Sequence, residues 1–346
     1  MNSTMEIDEK IELIKRNTQE TITDEELWKL LEEKKHPSVY LGTSVTGRPH
    51  IGYFAWVQKL ADFLKAGFKV KVLLADIHGA LDNTPWELLE KRYKYYEIVI
   101  PAMIEAMGGN LEKFGMVKGS DFQLEKKYVL DVLKMSTFAS VRDTTKAASD
   151  VVKQGDNPKL SGLIYPIMQA VDEEYLDVDI QMGAIDQRKI LVFAREYLPL
   201  IGYRPRIELM IPFIRGLTQD GKMSSSVKNS KIDLLDDEKT IKDKMKNAYC
   251  LEGDPENGVM DFALTVIMTQ KVDHGEEFIV ERPEKFGGNL AFKTKDELFT
   301  SFQSKELHPM DLKNAVAKYV NELLDPIRKK FESAHAKKIL EEAYGN

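Results

Sequence analysis

A chain of 346 residues, 43% of them hydrophobic, can bury a full core and is long enough for two domains, while its single cysteine, Cys250, excludes an internal disulfide framework and any multi-cysteine zinc site. No apolar run approaches the ~20 residues that span a bilayer, and the opening MNSTMEIDEK lacks the apolar centre of a signal peptide, so an intracellular, cytoplasmic protein is expected. The net charge of −7 excludes a uniformly basic surface but leaves room for a local nucleic-acid patch, and the six scattered histidines imply no structural metal.

Over the first 230 residues two periodicities alternate. Ser38–Thr43 reads as a strand, and a Gly/Pro-rich turn leads from it into helical spacing over about residues 50–66, with Gly67 placed to end the helix. Residues 69–76 read as a second strand, half apolar at its start and continuously apolar at its end, as in a covered sheet. Thr84 is placed to cap the next helix, with Pro85 in its first turn and Glu87 set for a capping box, and apolar positions recur to about Met107. Further extended stretches are expected at 116–120, 178–184 and 206–211, separated by helical segments. This alternation predicts an α/β fold with a Rossmann-like, doubly wound parallel sheet.

The stretch DGKMSSSVKN (220–229) follows, in which Gly221 suits a tight turn and the serines bond local amides, so it reads as a polar loop. Taken alone, a serine-rich hinge explains it as well as a lysine aimed at an anion. Beyond about residue 230 the character changes. Residues 232–249, 258–270, 309–319 and 324–343 read as helices and 277–281 as extended, which predicts a mainly helical second domain over 231–346 after a first domain over 1–230. The run Arg328 to Lys330 reads as a solvated helix face.

The first strand-to-helix turn is TSVTGRPHIGYF (43–54), at the place where a doubly wound sheet sets a phosphate against a helix N-terminus. It is neither a P-loop nor a dinucleotide fingerprint. What it offers is His50 at the helix start and Gly52, whose missing side chain allows a close approach to the backbone. A lone His50 is most simply a capping residue. Paired with Lys222, Met223, Ser224, Ser225 and Ser226 at the far end of the same domain, it becomes specific.

HIGY and KMSSS resemble the HIGH and KMSKS signatures of class I aminoacyl-tRNA synthetases. The segments ADIH (75–78), YPIMQAVDEEYLDVD (165–179), DQRKI (186–190), RPEKFGG (282–288) and HPMDLKNAV (308–316) are similar to tyrosyl-tRNA synthetases of the archaeal and eukaryotic kind, and the likeness covers nearly the whole chain. It implies a tyrosine–tRNA ligase that activates L-tyrosine with ATP, accompanied by Mg²⁺, to tyrosyl-adenylate and pyrophosphate, then transfers the tyrosyl group to the 3′ end of tRNA(Tyr). No protein nucleophile is needed, because activation calls for cations and donors on the phosphoryl oxygens.

By the same resemblance, Lys222, Ser224, Ser225 and Ser226 serve the phosphates with His50, while Gly42 and Asp186 belong to the ATP site. Tyr40 and Asp172 flank the substrate's phenol, Tyr165, Gln169 and Gln187 hold its ammonium and carboxylate, and His78 lines the pocket. Arg188 and Lys189 lie where the acceptor end of tRNA approaches, and His308 with Asp311 lies near the first anticodon base. His308 reads equally well as a helix start. A homodimer is implied, with its contact in a helical segment around 120–160. The sequence departs from the pattern at Tyr53, where HIGH has its second histidine, at Gly79 and Ala80 in one pocket wall, and at Ser44, where archaeal relatives carry glutamate.

Overall fold

Strands that are apolar on both faces must be covered on both, and in the computed structural model, which describes residues 5–152, 157, 159–219, 221, 223 and 230–345, they are. Val39 and Leu41 join the core beneath the helix Phe54–Lys65, whereas Tyr40 between them faces the opposite layer with Leu73 and Val178. The six strands are β1 (Glu20–Ile22), β2 (Ser38–Thr43), β3 (Lys69–Leu74), β4 (Phe114–Lys118), β5 (Ile180–Ala184) and β6 (Ile207–Ile211), in spatial order β1-β6-β5-β2-β3-β4. All neighbours run parallel except β1, which pairs antiparallel with the edge of β6. From β2 the chain winds outward through β3 and β4, then returns to the other side for β5 and β6. The reversal point is the β2–β5 pair, with Tyr40 in register with Gln181.

Several expected elements change at their ends. β1 went unforeseen, because three half-buried residues carry no period. The helix expected over 50–66 begins as a tight turn, Ile51–Tyr53, capped by His50, becomes α-helical at Phe54 and ends before Gly67, whose φ is +90°. Thr84 is not a cap. Pro85 takes that position for the helix Trp86–Ala106, with no side-chain cap. The helix expected over 232–249 shortens to Glu238–Lys246, because residues before it bond to the His50 turn instead: Ile51 N donates to Ile232 O at 3.0 Å, and His50 bridges Asp233. The expected break near 320–323 is absent. One helix runs Pro309–Lys330, and the next is Ala334–Tyr344. The extended stretch near 278 is half of a small antiparallel pair, Phe278–Val280 with Leu290–Phe292.

The C-terminal helices fold back onto Trp86–Ala106. The Tyr95 ring lies 5.1 Å from that of Phe331 and 5.2 Å from that of Tyr344. Arg328 is spent on this architecture, donating to Asp236 O at 2.9 Å and to Asn321, while Lys329 pairs with Asp325 and Lys330 with Glu105.

A second brace is ionic. Arg16 follows the first helix, Ile7–Lys15, and lies between two carboxylates, with Nε 3.0 Å from Asp62 Oδ2 and Nη2 2.8 Å from Asp273 Oδ2. Lys65 reaches Asp273 at 2.6 Å, and buried Lys59 donates to Ile14 O at 2.7 Å. Burial alone would raise the Asp273 carboxyl, but hydrogen bonds from Arg16 and Lys65 outweigh it and hold it down at about 2. The linked stability is present above the ordinary carboxylate range and is lost as pH falls from about 4 towards 2. Arg16→Ala takes the guanidinium from buried Asp62, leaving it Gln58 at 2.9 Å and Lys59 at 3.6 Å, so it should cost roughly 3 kcal/mol in urea unfolding at pH 7 and should flatten the loss of stability between pH 4 and 2.

Candidate active site

At the reversal point no connection crosses the carboxyl ends of β2 and β5, and a cavity of about 1310 Å³ opens there. Tyr40, Gly42 and Ser44 enter it from β2 and its extension, His78 from the segment after β3, Tyr165, Gln169 and Asp172 from the helix Leu160–Tyr175, Asp186 and Gln187 from the turn after β5, and His50, Gly52 and Met223 from the opposite end. The cavity therefore gathers all the described residues that the sequence assigned to tyrosine and ATP. Lys222, Ser224, Ser225 and Ser226 lie outside the described residues.

The deep end is built around Asp172, which is wholly buried. Gln123 Nε2 donates to its Oδ1 at 2.8 Å and the Tyr128 hydroxyl donates to the same oxygen at 2.7 Å. Oδ2 has no hydrogen-bond partner among the described residues, and His78 Nε2 is 3.7 Å away. Burial pushes the Asp172 carboxyl up to about 7, against the pull of the two donors, and pushes His78 down to about 4, so His78 is neutral where Asp172 titrates. The Tyr40 hydroxyl makes only a long contact, 3.5 Å to Gln169 O. An unpaired carboxylate oxygen facing a cavity, with a phenolic hydroxyl also facing it, is suited to a ligand hydroxyl that donates to one and accepts from the other.

Towards the middle, Gln169 Nε2 donates to Gln187 Oε1 at 2.7 Å, and the Tyr165 hydroxyl lies 3.4 Å from Ser44 Oγ. The His78 and Tyr165 rings meet edge to face at 4.6 Å. Ser44 thus supports Tyr165 in the place expected to hold glutamate in archaeal relatives. A side-chain carbon at Gly79 would meet Leu89 at 3.4 Å and Thr84 and Val45 at 3.8 Å, ordinary contact distances, so nothing in the packing demands a glycine there.

At the opposite end of the cavity His50 acts first as a cap, its Nδ1 accepting from Gly52 N at 3.2 Å. A carbon placed on Gly52 would come within 2.9 Å of the His50 ring and 3.2 Å of Met223 Sδ, so the space at this glycine is filled by the chain's own histidine and methionine. The sequence reading had reserved it for a ligand. Arg48 pairs with Asp233 at 2.9 Å, which ties the turn to the chain that follows residue 230.

The four residues assigned to tRNA stand outside the cavity. Arg188 makes two bonds to Glu20 on β1, at 2.6 and 2.8 Å, and Lys189 reaches Asp150 at 2.8 Å and Ser149 at 2.9 Å. His308 is exposed and caps the helix Pro309–Lys330, its Nδ1 accepting from Met310 N at 3.1 Å, with Asp311 in the first turn. Capping uses one ring nitrogen and leaves the exposed ring face available. Arg282 donates to Glu306 O at 3.2 Å and so holds the 282–288 turn beside His308, with the Phe286 ring 60% exposed.

The sequence reading missed Gln123 and Tyr128, because their segment was read only as a subunit contact. It also missed Tyr96 and Arg92, which reach the 44–49 turn from a helix half the sheet away. Among the described residues no group of three or more His, Cys, Asp or Glu is placed to hold a metal ion, and no helix is long and apolar enough to cross a membrane.

The sequence pattern of the family described as tRNA synthetases class I (W and Y) matches residues 32–325. The cytoplasmic tyrosine–tRNA ligase of Gallus gallus is 49% identical over 98% of this chain, which spans 64% of that protein's length. The tyrosine–tRNA ligase of Haloarcula marismortui is 42% identical over 98% of both chains. The tyrosyl-tRNA synthetase of Archaeoglobus fulgidus, solved with L-tyrosine, superposes with a TM-score of 0.87 at 40% identity, covering 94% of this chain and 99% of its own. With a match along nearly its whole length, on a fold whose cleft is lined by His50, Gly52 and Met223 of the two signatures, the chain belongs to the class I tRNA synthetases, among the tyrosine–tRNA ligases.

Proposed function

We propose that this chain activates L-tyrosine with ATP and transfers the tyrosyl group to the 3′ end of tRNA(Tyr). The observation that carries the reading is the unpaired Oδ2 of Asp172, fixed by two donors on its other oxygen at the closed end of the cavity. A phenol docked there donates its proton to Asp172 and accepts from Tyr40, while the amino acid's other end lies by Tyr165, Gln169 and Gln187. That orientation aims the substrate carboxylate at the His50 end. One carboxylate oxygen attacks the α-phosphorus of ATP, the bond to the bridging oxygen breaks, and pyrophosphate leaves with the electron pair. Mg²⁺ enters with the nucleotide as part of the substrate. Gly42, His50 and Asp186, with Lys222 and Ser224 to Ser226 from the loop, serve the nucleotide and the leaving phosphates.

In this reading residues 1–230 hold the chemistry and 231–346 read the tRNA, with His308 and Asp311 beside an unpaired anticodon base and exposed Phe286 as a stacking ring the sequence reading overlooked. Arg188 and Lys189, held by single carboxylate partners at the surface, can exchange those partners for phosphate as the acceptor end arrives. The exposed Leu124, Val129, Leu130, Leu133, Phe138 and Val141 supply an apolar face within the segment expected to join two subunits. A cytoplasmic location follows the naming of the chicken relative.

Tyrosine-dependent ATP–pyrophosphate exchange followed by charging of tRNA(Tyr) tests the whole reading, and exchange driven by tryptophan instead would overturn it. Because burial pushes Asp172 up to about 7 and it accepts a proton-donating phenol best when ionised, KM for tyrosine should be lowest at about pH 8, rise as pH falls below 7, and rise again as the phenol itself ionises at about pH 10. In Asp172→Ala the preference for tyrosine over phenylalanine should narrow by roughly 10- to 100-fold, since the lost acceptor matters only to the hydroxyl. His308→Ala with Asp311→Ala should weaken charging while leaving exchange intact, whereas equal loss of both would refute the division between the two regions. Leu133→Asp should shift the protein from dimer to monomer in sedimentation equilibrium, and an unchanged mass would place the subunit contact elsewhere.

A further inference from the structure

Tyr53 occupies the corner where the HIGH pattern has its second histidine; it lines the cavity, but its hydroxyl is engaged by the chain's own groups. Its ring stands edge-on to His50 at 5.1 Å, and its hydroxyl lies 3.2 Å from that of Tyr96. Tyr96 in turn donates to Gly47 O at 2.7 Å, so the shared proton between the two phenols belongs to Tyr53, and the chain of donors runs Tyr53 to Tyr96 to Gly47. The Tyr344 hydroxyl reaches the same carbonyl at 3.0 Å, and Arg92 donates to the neighbouring Thr46 O. Thr46 and Gly47 both line the cavity.

We infer that Tyr53 and Tyr96 are positioning residues for ATP: their linked hydroxyls hold the 44–49 turn in the backbone conformation that the nucleotide meets. In a trans peptide the N–H points opposite to the C=O, so carbonyls drawn outward onto the Trp86–Ala106 helix turn the amides that follow them towards the cavity. Amides fixed before the ligand arrives need no reorganisation when phosphate charge develops. A histidine at position 53 is too short to reach Tyr96 and would release this arrangement. The inference rests on the reading that ATP occupies this end of the cavity.

Tyr53→Phe and Tyr96→Phe remove the hydroxyls and keep both rings in place. In tyrosine-dependent pyrophosphate exchange each should lower kcat/KM for ATP about 5- to 10-fold, the scale of one hydrogen bond, with KM for tyrosine unchanged within about twofold. The double variant should be no worse than Tyr96→Phe alone, because both act through one carbonyl. Tyr53→His should be as impaired as Tyr53→Phe. Additive losses, equal effects on tyrosine and ATP, unchanged kinetics, or a Tyr53→His variant as active as the starting protein would each overturn the positioning role while leaving the proposed activity standing. Absence of exchange in the unsubstituted protein would remove both.

Discussion

Two adjacent parallel strands whose onward connections leave in opposite directions cannot be roofed by either connection. That constraint, met between β2 and β5, creates the cavity, and nearly everything else in the molecule is arranged to furnish or steady it. The strand ends deliver Gly42 and Ser44 from one side and Asp186 and Gln187 from the other, and the helix Leu160–Tyr175 closes the floor with three polar side chains at successive turns. Apolar strands supply the rigidity, and the polar groups at their ends supply the selectivity.

The polar groups are costly to bury, and the structure differs in how it meets that cost at the two ends of the cleft. At the closed end Asp172 is deliberately half-satisfied, with two donors on one oxygen and none on the other, which leaves it dependent on a ligand hydroxyl for its full complement. At the His50 end the chain's own groups pair with one another: His50 caps its own turn, Met223 fills the space over Gly52, and Arg48 pairs with Asp233. One end is shaped by a missing partner and the other by preassembled backbone.

Much of this was legible in the residues. Alternation of period gave the layered sheet, the Thr43–Phe54 turn does line one end of the cavity, and the resemblance placed Tyr40, Gln169 and Asp172 where they do converge. What escaped follows from the same physics. β1 has three residues and so no measurable period. Residues 232–237 carry helical spacing, yet Ile232 and Asp233 are claimed by the His50 turn, a partner some 180 residues earlier that no local pattern discloses. Gln123, Tyr128 and Tyr96 act through hydroxyl and amide tips on otherwise ordinary helices, and a tip's target is a tertiary fact.

The helix Lys126–Ser136 has two very different faces. Tyr128 and Met135 point into the core, with the Tyr128 hydroxyl gripping Asp172, while Val129, Leu130 and Leu133 stand in the open. Drift on the outer face is therefore not free. A substitution that tilts this helix also moves the Tyr128 hydroxyl, so a change on the outer face is felt at the buried Asp172 carboxylate.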